Sequence, residues 1–163
     1  MSYKININGK DIAELGLTPL FGTLDNILKP APLKKLVTNT NSTIDGVMPV
    51  NAASRKVDKR DFSMLFRLQS ASDIDLYRMR VKLEEFLRNG VTDGTDKSGI
   101  NEICFVRYEV CLRAIFNKID KYQGATPHSG VASISVNFTE IDPTNRDMKT
   151  SQWWQKMHGS SAL

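Results

Sequence analysis

Histidine, the side chain most often used for proton transfer and for binding zinc, occurs only twice in this chain. His128 and His158 have no second histidine at the spacing with which a helix or a strand brings two ligands together. A lone histidine is also too little for a Ser/His/Asp nucleophile. We therefore predict that both residues are solvent-exposed, one in a loop and one in a C-terminal tail.

The loop around residue 95 carries two incomplete ligand-binding patterns. Gly94 and Gly99 have the outer spacing of a phosphate-binding loop, but Ile100 and Asn101 stand where that loop requires Lys and Ser or Thr. The acidic segment 93–98 begins like a calcium loop, yet it lacks the ligand and the glycine required at its next positions. Neither pattern predicts a site.

The carboxylates that could act as an acid and base pair are also badly placed. Glu84 and Glu85 fall on the polar face of a predicted helix, and Glu109 falls in a predicted strand. Nothing pairs them across a cleft, as acid–base catalysis requires. The sequence therefore predicts a protein that is not an enzyme and has neither a cofactor nor a metal.

The two cysteines, Cys104 and Cys111, lie seven residues apart in what the pattern predicts to be one strand. At about 3.3 Å per residue their Cα atoms would be roughly 23 Å apart. A disulfide requires a separation below about 7 Å. The odd spacing also places the two side chains on opposite faces of the strand. We expect buried, reduced thiols, consistent with synthesis in the cytoplasm.

The elements that must position any site come from an ordinary globular composition. The chain has 163 residues, 40% hydrophobic and 25% charged, which is typical of one soluble domain and excludes collagen-like, mucin-like and wholly disordered proteins. No apolar stretch approaches the roughly 20 residues that span a bilayer. The N-terminus has no apolar core of a secretory signal. We expect no membrane association.

Most of the chain shows the two-residue alternation of β-strands. The first strand precedes Asn8-Gly9, the preferred pair for a type I′ hairpin turn. Pro19 indicates an edge position for a second strand within 17–28. The run 102–119 is too long for one regular strand and should bend, bulge or split. The remaining predicted strands are 61–68 and 131–141.

One segment, from Asp73 to Asn89, has the period of a helix. Ser72 is a suitable N-cap and Gly90 a suitable C-terminal stop. The apolar positions recur at three and four residues, at Leu76, Met79, Leu83 and Phe86. The predicted fold class is therefore mainly β with one helix (α+β).

Residues 29–60, which we call the basic arm, hold most of the excess positive charge. The arm contains seven basic and two acidic residues, and it contains no Phe, Tyr or Trp. The many turn residues predict a long hairpin or a loop. A solvated loop and a surface for an acidic protein partner are both compatible with this charge. Nucleic-acid binding is a further alternative, although such proteins usually add stacking aromatic residues. The basic residues are Lys29, Lys34, Lys35, Arg55, Lys56, Lys59 and Arg60.

The C-terminal segment 146–163 is polar except for a few large apolar residues, among them Trp153 and Trp154. Tryptophan is costly to expose and common at interface hot spots. We expect these two residues to dock either on their own subunit or on a neighbour. The domain prediction is one β domain over 1–145, with the arm at about 29–60, followed by a tail that is disordered or docked on a partner.

Four segments recur in an order that resembles the N-terminal domain of the distal tail proteins of long-tailed bacteriophages and prophages. The resemblance covers residues 3–145, nearly the whole chain, and rests on pattern and spacing. The four segments are Ile7-Asn8-Gly9-Lys10-Asp11, the charged stretch 55–61 with the strand 62–68, the helix 73–89, and 136–143.

The resemblance implies a β-sandwich or barrel of tail-tube type with a flanking helix, assembled into a six-fold ring in the virion tail. Such a ring joins the tail tube to the tip and contacts the tube, tape-measure and tip or hub proteins, with DNA only as passing cargo. Assembly would occur in the bacterial cytoplasm. A major tail-tube subunit, or a small nucleic-acid- or protein-binding module, is the alternative.

Ring assembly also agrees with the physical interpretation of the basic arm. The arm has too few large apolar side chains to hold itself folded alone, so a sister copy could order it. The predicted oligomer interface consists of Lys34, Lys35, Arg55, Lys56, Lys59 and Arg60 of the arm, together with Trp153 and Trp154.

Overall fold

The structure, a computed structural model, describes residues 4–35, 37–39, 48–50, 55–93, 95–124 and 130–158. Strands provide most of its regular structure, as the sequence predicts. The strands are β1 (Ile5–Ile7), β2 (Lys10–Asp11), β3 (Leu17–Pro19), β4 (Val37–Asn39), β5 (Met48–Val50), β6 (Arg60–Gln69), β7 (Thr92–Asp93), β8 (Asp96–Lys97), β9 (Ile100–Phe105), β10 (Val110–Gly124) and β11 (Val131–Glu140). The helices are α1 (Thr23–Leu28), α2 (Asp73–Asn89) and α3 (Gln152–His158).

Seven of these strands form one antiparallel sheet in the order β2-β1-β9-β10-β11-β6-β3. Its two edges, β2 and β3, are separated in the chain by only residues 12–16, so the sheet must curl until the edges approach each other. The Ile12 N–H donates to the Ile5 carbonyl (3.1 Å), and the Leu17 N–H donates to the Ile12 carbonyl (3.0 Å). The Leu17 bond links β3 to the residue after β2, so the two edges of the curled sheet lie next to each other at this point.

The interior of the curled sheet holds a single large apolar cluster. Phe66, Phe105 and Phe138 are its largest fully buried side chains. α2 covers this core with Leu76 and Leu83 on its buried face. The mainly β fold class with a flanking helix is confirmed.

Local signals placed the first hairpin and the long helix correctly. Asn8 and Gly9 both have positive φ angles, 53° and 84°, as a type I′ turn requires. α2 spans Asp73–Asn89, and the Ser72 hydroxyl accepts a hydrogen bond from the Asp75 N–H (3.3 Å). Gly90 follows with φ 67°.

The strand predicted within 17–28 is β3, which lies at the edge of the sheet as Pro19 indicates but covers only Leu17–Pro19, whereas the second half of the segment forms α1. Tertiary contacts explain the difference. The Thr23 hydroxyl donates to the Leu65 carbonyl (2.7 Å) and accepts from the Leu65 N–H (3.0 Å), which fixes the start of α1 against β6. Ile27, one turn later, is fully buried. A six-residue helix is too short to be stable alone, so these contacts decide its conformation.

The run 102–119 splits into β9 and β10, which pair with each other through a tight 3-10 turn at Val106–Tyr108. The expectation that one strand places Cys104 and Cys111 far apart and on opposite faces is therefore wrong. Cys104 and Cys111 are direct partners in the β9–β10 register. The prediction of buried, free thiols is confirmed.

Candidate functional site

The described part of the basic arm is an antiparallel hairpin. Near its base, the Lys34 N–H donates to the Lys56 carbonyl and the Asp58 N–H donates to the Pro32 carbonyl, both at 2.8 Å. Further out, β4 and β5 form a two-stranded sheet of their own. The register shifts by three residues between these two parts, so the hairpin is irregular along its length. Residues 36, 40–47 and 51–54 of the arm lie outside the described residues.

The base of the hairpin presents a row of exposed cations. Arg55 braces the two chains, because its Nε and Nη2 both donate to the Lys34 carbonyl at 3.0 and 2.7 Å. The one acidic residue among the described part of the arm, Asp58, accepts a hydrogen bond from the Lys59 N–H. The surface is therefore strongly positive. Its exposed members are Lys29, Lys34, Lys35, Arg55, Lys56 and Lys59.

Where the arm joins the body, Arg60, Glu140 and Arg146 form a charged group that we call the anchor cluster. The Glu140 carboxylate is fully buried and accepts from Arg60 on Oε2 (3.0 Å). Arg146 donates to both carboxylate oxygens, at 2.7 Å to Oε1 and 2.8 Å to Oε2. One negative charge thus lies between two positive ones, and both of its oxygens are satisfied.

The second role of Arg60 is to end α1. Its guanidinium donates to the carbonyls of Asn26 (2.8 Å), Ile27 (2.9 Å) and Lys29 (2.6 Å). The last carbonyls of a helix have no partner within the helix, and a cation is favourable there. Burial lowers the pKa of Arg60, and the Glu140 carboxylate opposes that shift. The anchor cluster therefore joins both ends of the basic arm to α1 and β11.

This placement separates Arg60 from the other predicted interface cations. Its side chain is buried, and its donors are used within the chain, so its charge does not add to the outer surface. Lys34, Lys35, Arg55 and Lys56 remain exposed, as does Lys59. Their role at an interface stays a prediction.

Trp153 and Trp154 lie on α3, which contacts the outer face of the sheet. Both are partly buried and pack against Cys104, Cys111 and Met148. The Gln152 N–H at the start of α3 donates to the Glu102 carboxylate on β9 (2.9 Å to Oε2). The tryptophans therefore dock on their own chain, although each keeps an exposed part.

An apolar recess at the mouth of the curled sheet is a feature that sequence patterns did not reveal. It has a volume of about 320 Å³, and Phe21 at its rim is 99% exposed. Phe21 belongs to no periodic pattern, because it lies in the turn before α1. The apolar side chains that line the recess include Ile5, Pro19, Leu20, Leu24 and Phe105.

The residues considered for catalysis do not converge in the part of the chain that the structure describes. His158 is exposed and stacks on Trp154, with ring centroids 3.9 Å apart, while His128 and Gly94 lie outside the described residues. Glu84 pairs with Arg80 on the surface of α2. Within the described ranges, no three His, Cys, Asp or Glu side chains could hold a metal ion together. None of the described helices is long and apolar enough to cross a membrane.

Together these features define a curled antiparallel β domain that carries an anchored basic hairpin. No protein-family model matches the chain, and no curated protein matches it. Among solved structures, it is similar to the crystal structure of SPP1 Dit (gp 19.1), described as a paradigm of the hub adsorption apparatus in phages that infect Gram-positive bacteria. The TM-score is 0.62 at 14% identity, over 88% of this chain and 51% of that one. This chain thus spans about half the length of that protein, and the likeness shows a shared fold.

Proposed function

We propose that this chain is a structural, non-catalytic component of a phage or prophage tail: a distal-tail or hub subunit that forms a ring joining the tail tube to the tip. Two observations support it. The fold is that of a phage hub protein over 88% of the chain. The basic arm is attached to the body by the anchor cluster, which would hold its exposed cations in place for contact with a neighbouring subunit.

The observation that carries the proposal is the contrast between the buried attachment of the arm and its exposed, positively charged surface. At its base, Arg60 and Arg146 both donate to the Lys29 carbonyl, at 2.6 and 3.3 Å. The described outer surface of the arm carries more exposed cations than acidic residues, and β4 and β5 pair only with each other among the described strands. A firm base with an unpartnered charged hairpin fits contact with an acidic surface on the next subunit.

A ring contains several copies of its subunit. The proposed partners of this chain are therefore sister copies, six in the ring that the resemblance implies, and the neighbouring tail proteins. The virion tail is the proposed location, after assembly in the bacterial cytoplasm. DNA would pass through the ring without specific binding. The basic arm would therefore not line the channel, because dense Lys and Arg contacts would retain DNA. A major tail-tube subunit is the alternative that the same fold allows, and electron microscopy would distinguish its long tubes from single rings.

The test reverses the charge of the arm without touching its internal hydrogen bonds. Lys34→Glu, Lys35→Glu and Lys56→Glu are combined in one variant, because these side chains are exposed. The matched control carries Lys82→Glu, Lys97→Glu and Lys149→Glu, exposed lysines elsewhere that give the same net charge. Light scattering coupled to size exclusion, with the neighbouring tail proteins added if the chain alone is monomeric, measures assembly.

We expect the arm variant to weaken assembly by on the order of 10-fold or more per interface, since surface charge pairs contribute roughly 0.2–1 kcal/mol each and reversal adds repulsion. Assembly of the wild-type chain should also weaken as salt increases. The control should assemble normally. Normal assembly of the arm variant, or equal loss in both variants, would contradict the proposal. Strongly salt-dependent DNA binding by the isolated chain would favour the nucleic-acid alternative instead.

A further inference from the structure

The side chains of Cys104 and Cys111 face each other across β9 and β10. They are register partners, and their sulfur atoms lie 2.6 Å apart, closer than the contact distance of two non-bonded sulfurs. Both are free thiols and are almost completely buried. Their position beside each other is a property of the hairpin and does not depend on the proposed tail function.

The hydrogen-bond pattern shows which kind of cross-strand pair this is. The Cys111 N–H points away from β9 and donates to the Arg146 carbonyl (2.9 Å). On β9, the Glu102 carbonyl accepts from Asn8, so the even-numbered residues of β9 bond towards β1. Cys104 and Cys111 thus form a non-hydrogen-bonded pair, whose Cα atoms lie about 4.5 Å apart. That separation is within the range observed for disulfides, about 4.4–6.8 Å.

The C-terminal segment covers the two thiols. Met148, Trp153 and Trp154 pack directly against them. A hydrogen bond with Cys104, together with burial, raises the pKa of the Cys111 thiol well above its usual range. Since the thiolate is the reactive form, the covered pair reacts slowly with any oxidant.

The outer part of this cover is the short helix α3. α3 has only seven residues, and an isolated helix of that length is not stable in water. The Gln152 N–H bond to Glu102 and the packing of the two tryptophans hold α3 to the sheet. The residues before α3 have further bonds to the sheet, such as the Met148 N–H to the Glu109 carbonyl (3.2 Å) and the Cys111 N–H to the Arg146 carbonyl (2.9 Å). Local opening of such a segment costs less than global unfolding.

We propose that Cys104 and Cys111 are a disulfide-forming site, oxidised by a small-molecule disulfide such as glutathione disulfide when α3 lifts from the sheet. One cysteine thiolate attacks the glutathione disulfide, forms a mixed disulfide and releases one glutathione thiolate. The second cysteine thiolate attacks the protein sulfur of that mixed disulfide and releases the other glutathione. The two thiol protons end on the two released glutathiones, and the two electrons reduce the reagent.

The bond would close a loop of eight residues and join β9 to β10 beneath α3. For a loop of this length the chain-entropy relation predicts a decrease of about 65-fold in the unfolding equilibrium constant. In a reducing cytoplasm the pair would remain reduced, and outside the cell it would oxidise. Only the expected move from the cytoplasm to the outside of the cell depends on the proposed function. If the charge-reversal experiment on the arm failed, the proposed disulfide chemistry would be unaffected.

The experiment treats the full chain with glutathione disulfide, then denatures it and alkylates any remaining thiols. Intact mass should show the loss of two hydrogens, with no glutathione attached and no dimer. Cys104→Ser and Cys111→Ser are matched controls, and each should end as a mixed disulfide with glutathione. A Trp153→Ala, Trp154→Ala variant weakens the cover and should oxidise at least about 10-fold faster, because opening limits the reaction. Circular dichroism confirms that each variant is folded.

A chain that keeps both alkylatable thiols, or carries glutathione without forming the internal bond, overturns the proposed site. Equal oxidation rates in the wild-type chain and in the tryptophan variant overturn the route through α3. The urea midpoint is an independent readout. It should rise on oxidation of the wild-type chain and stay constant in the Cys104→Ser, Cys111→Ser double variant, and a constant wild-type midpoint contradicts the predicted stabilisation.

Discussion

Replacing Glu140 by glutamine tests whether the anchor cluster holds the base of the basic arm. Glu140→Gln keeps the shape of the side chain and removes its charge. The carboxylate accepts from Arg60 on one oxygen and from Arg146 on both. Glutamine has one acceptor oxygen, and its amide group donates, so one arginine must face a donor. Two cations then lie together without their counter-charge.

The expected cost follows from burial. Breaking a buried ion pair costs about 3–5 kcal/mol when the remaining charge is left uncompensated. We expect about 3 kcal/mol, the lower end, since Arg60 keeps three carbonyl acceptors and the Arg146 side chain is 21% exposed and can turn to water. For a chain of this size that corresponds to a decrease in Tm of roughly 6–12 °C. Arg146→Gln should cost less, about 1 kcal/mol, because Arg60 still pairs with Glu140.

The assay is urea unfolding monitored by far-ultraviolet circular dichroism. Tryptophan fluorescence is less suitable, because both tryptophans lie on α3 and would report mainly that segment. Glu84→Gln is the matched control. It breaks the partly exposed Arg80–Glu84 pair on α2 and should cost less than about 0.5 kcal/mol. Hydrogen exchange adds a local readout, since the amides of Lys34 and Asp58 at the arm base should exchange faster in Glu140→Gln. Equal costs for Glu140→Gln and Glu84→Gln would refute the reasoning.

Two further predictions concern the hairpin strands and the end of α2. Gly90→Ala should cost at least about 2 kcal/mol, since φ is 67° and a Cβ would lie 2.5 Å from the Ile100 backbone nitrogen. Gly22→Ala, with φ 88° but open space, should cost only about 1 kcal/mol in the same urea titration. The raised pKa of Cys111 predicts that, under reducing conditions, stability falls above about pH 8.5, by up to about 1.4 kcal/mol per pH unit. The reason is that the thiol of the unfolded chain ionises in this pH range while the folded thiol stays neutral. Cys111→Ala should therefore flatten the profile of urea midpoint against pH. An unchanged profile would show that Cys111 does not cause the pH dependence.

Elements defined by nearby residues could be predicted from the sequence. The type I′ turn at Asn8-Gly9 and the helix between Ser72 and Gly90 depend on backbone preferences and on bonds a few residues long. The strands could be predicted from the two-residue alternation of apolar and polar residues, because one face of each strand must be buried. These signals were enough for the mainly β fold class.

Pairings between distant segments were decided only by the tertiary structure. The two cysteines became neighbours because the chain turns at Val106–Tyr108, which a strand period cannot reveal. In the sequence, Arg60 resembles the other cations of the arm. In the structure it is buried and paired with Glu140, which lies eighty residues further along the chain. A sequence pattern records which side chains prefer water or a core, whereas the partner of a buried charge or thiol depends on how the sheet curls and which strands it brings together.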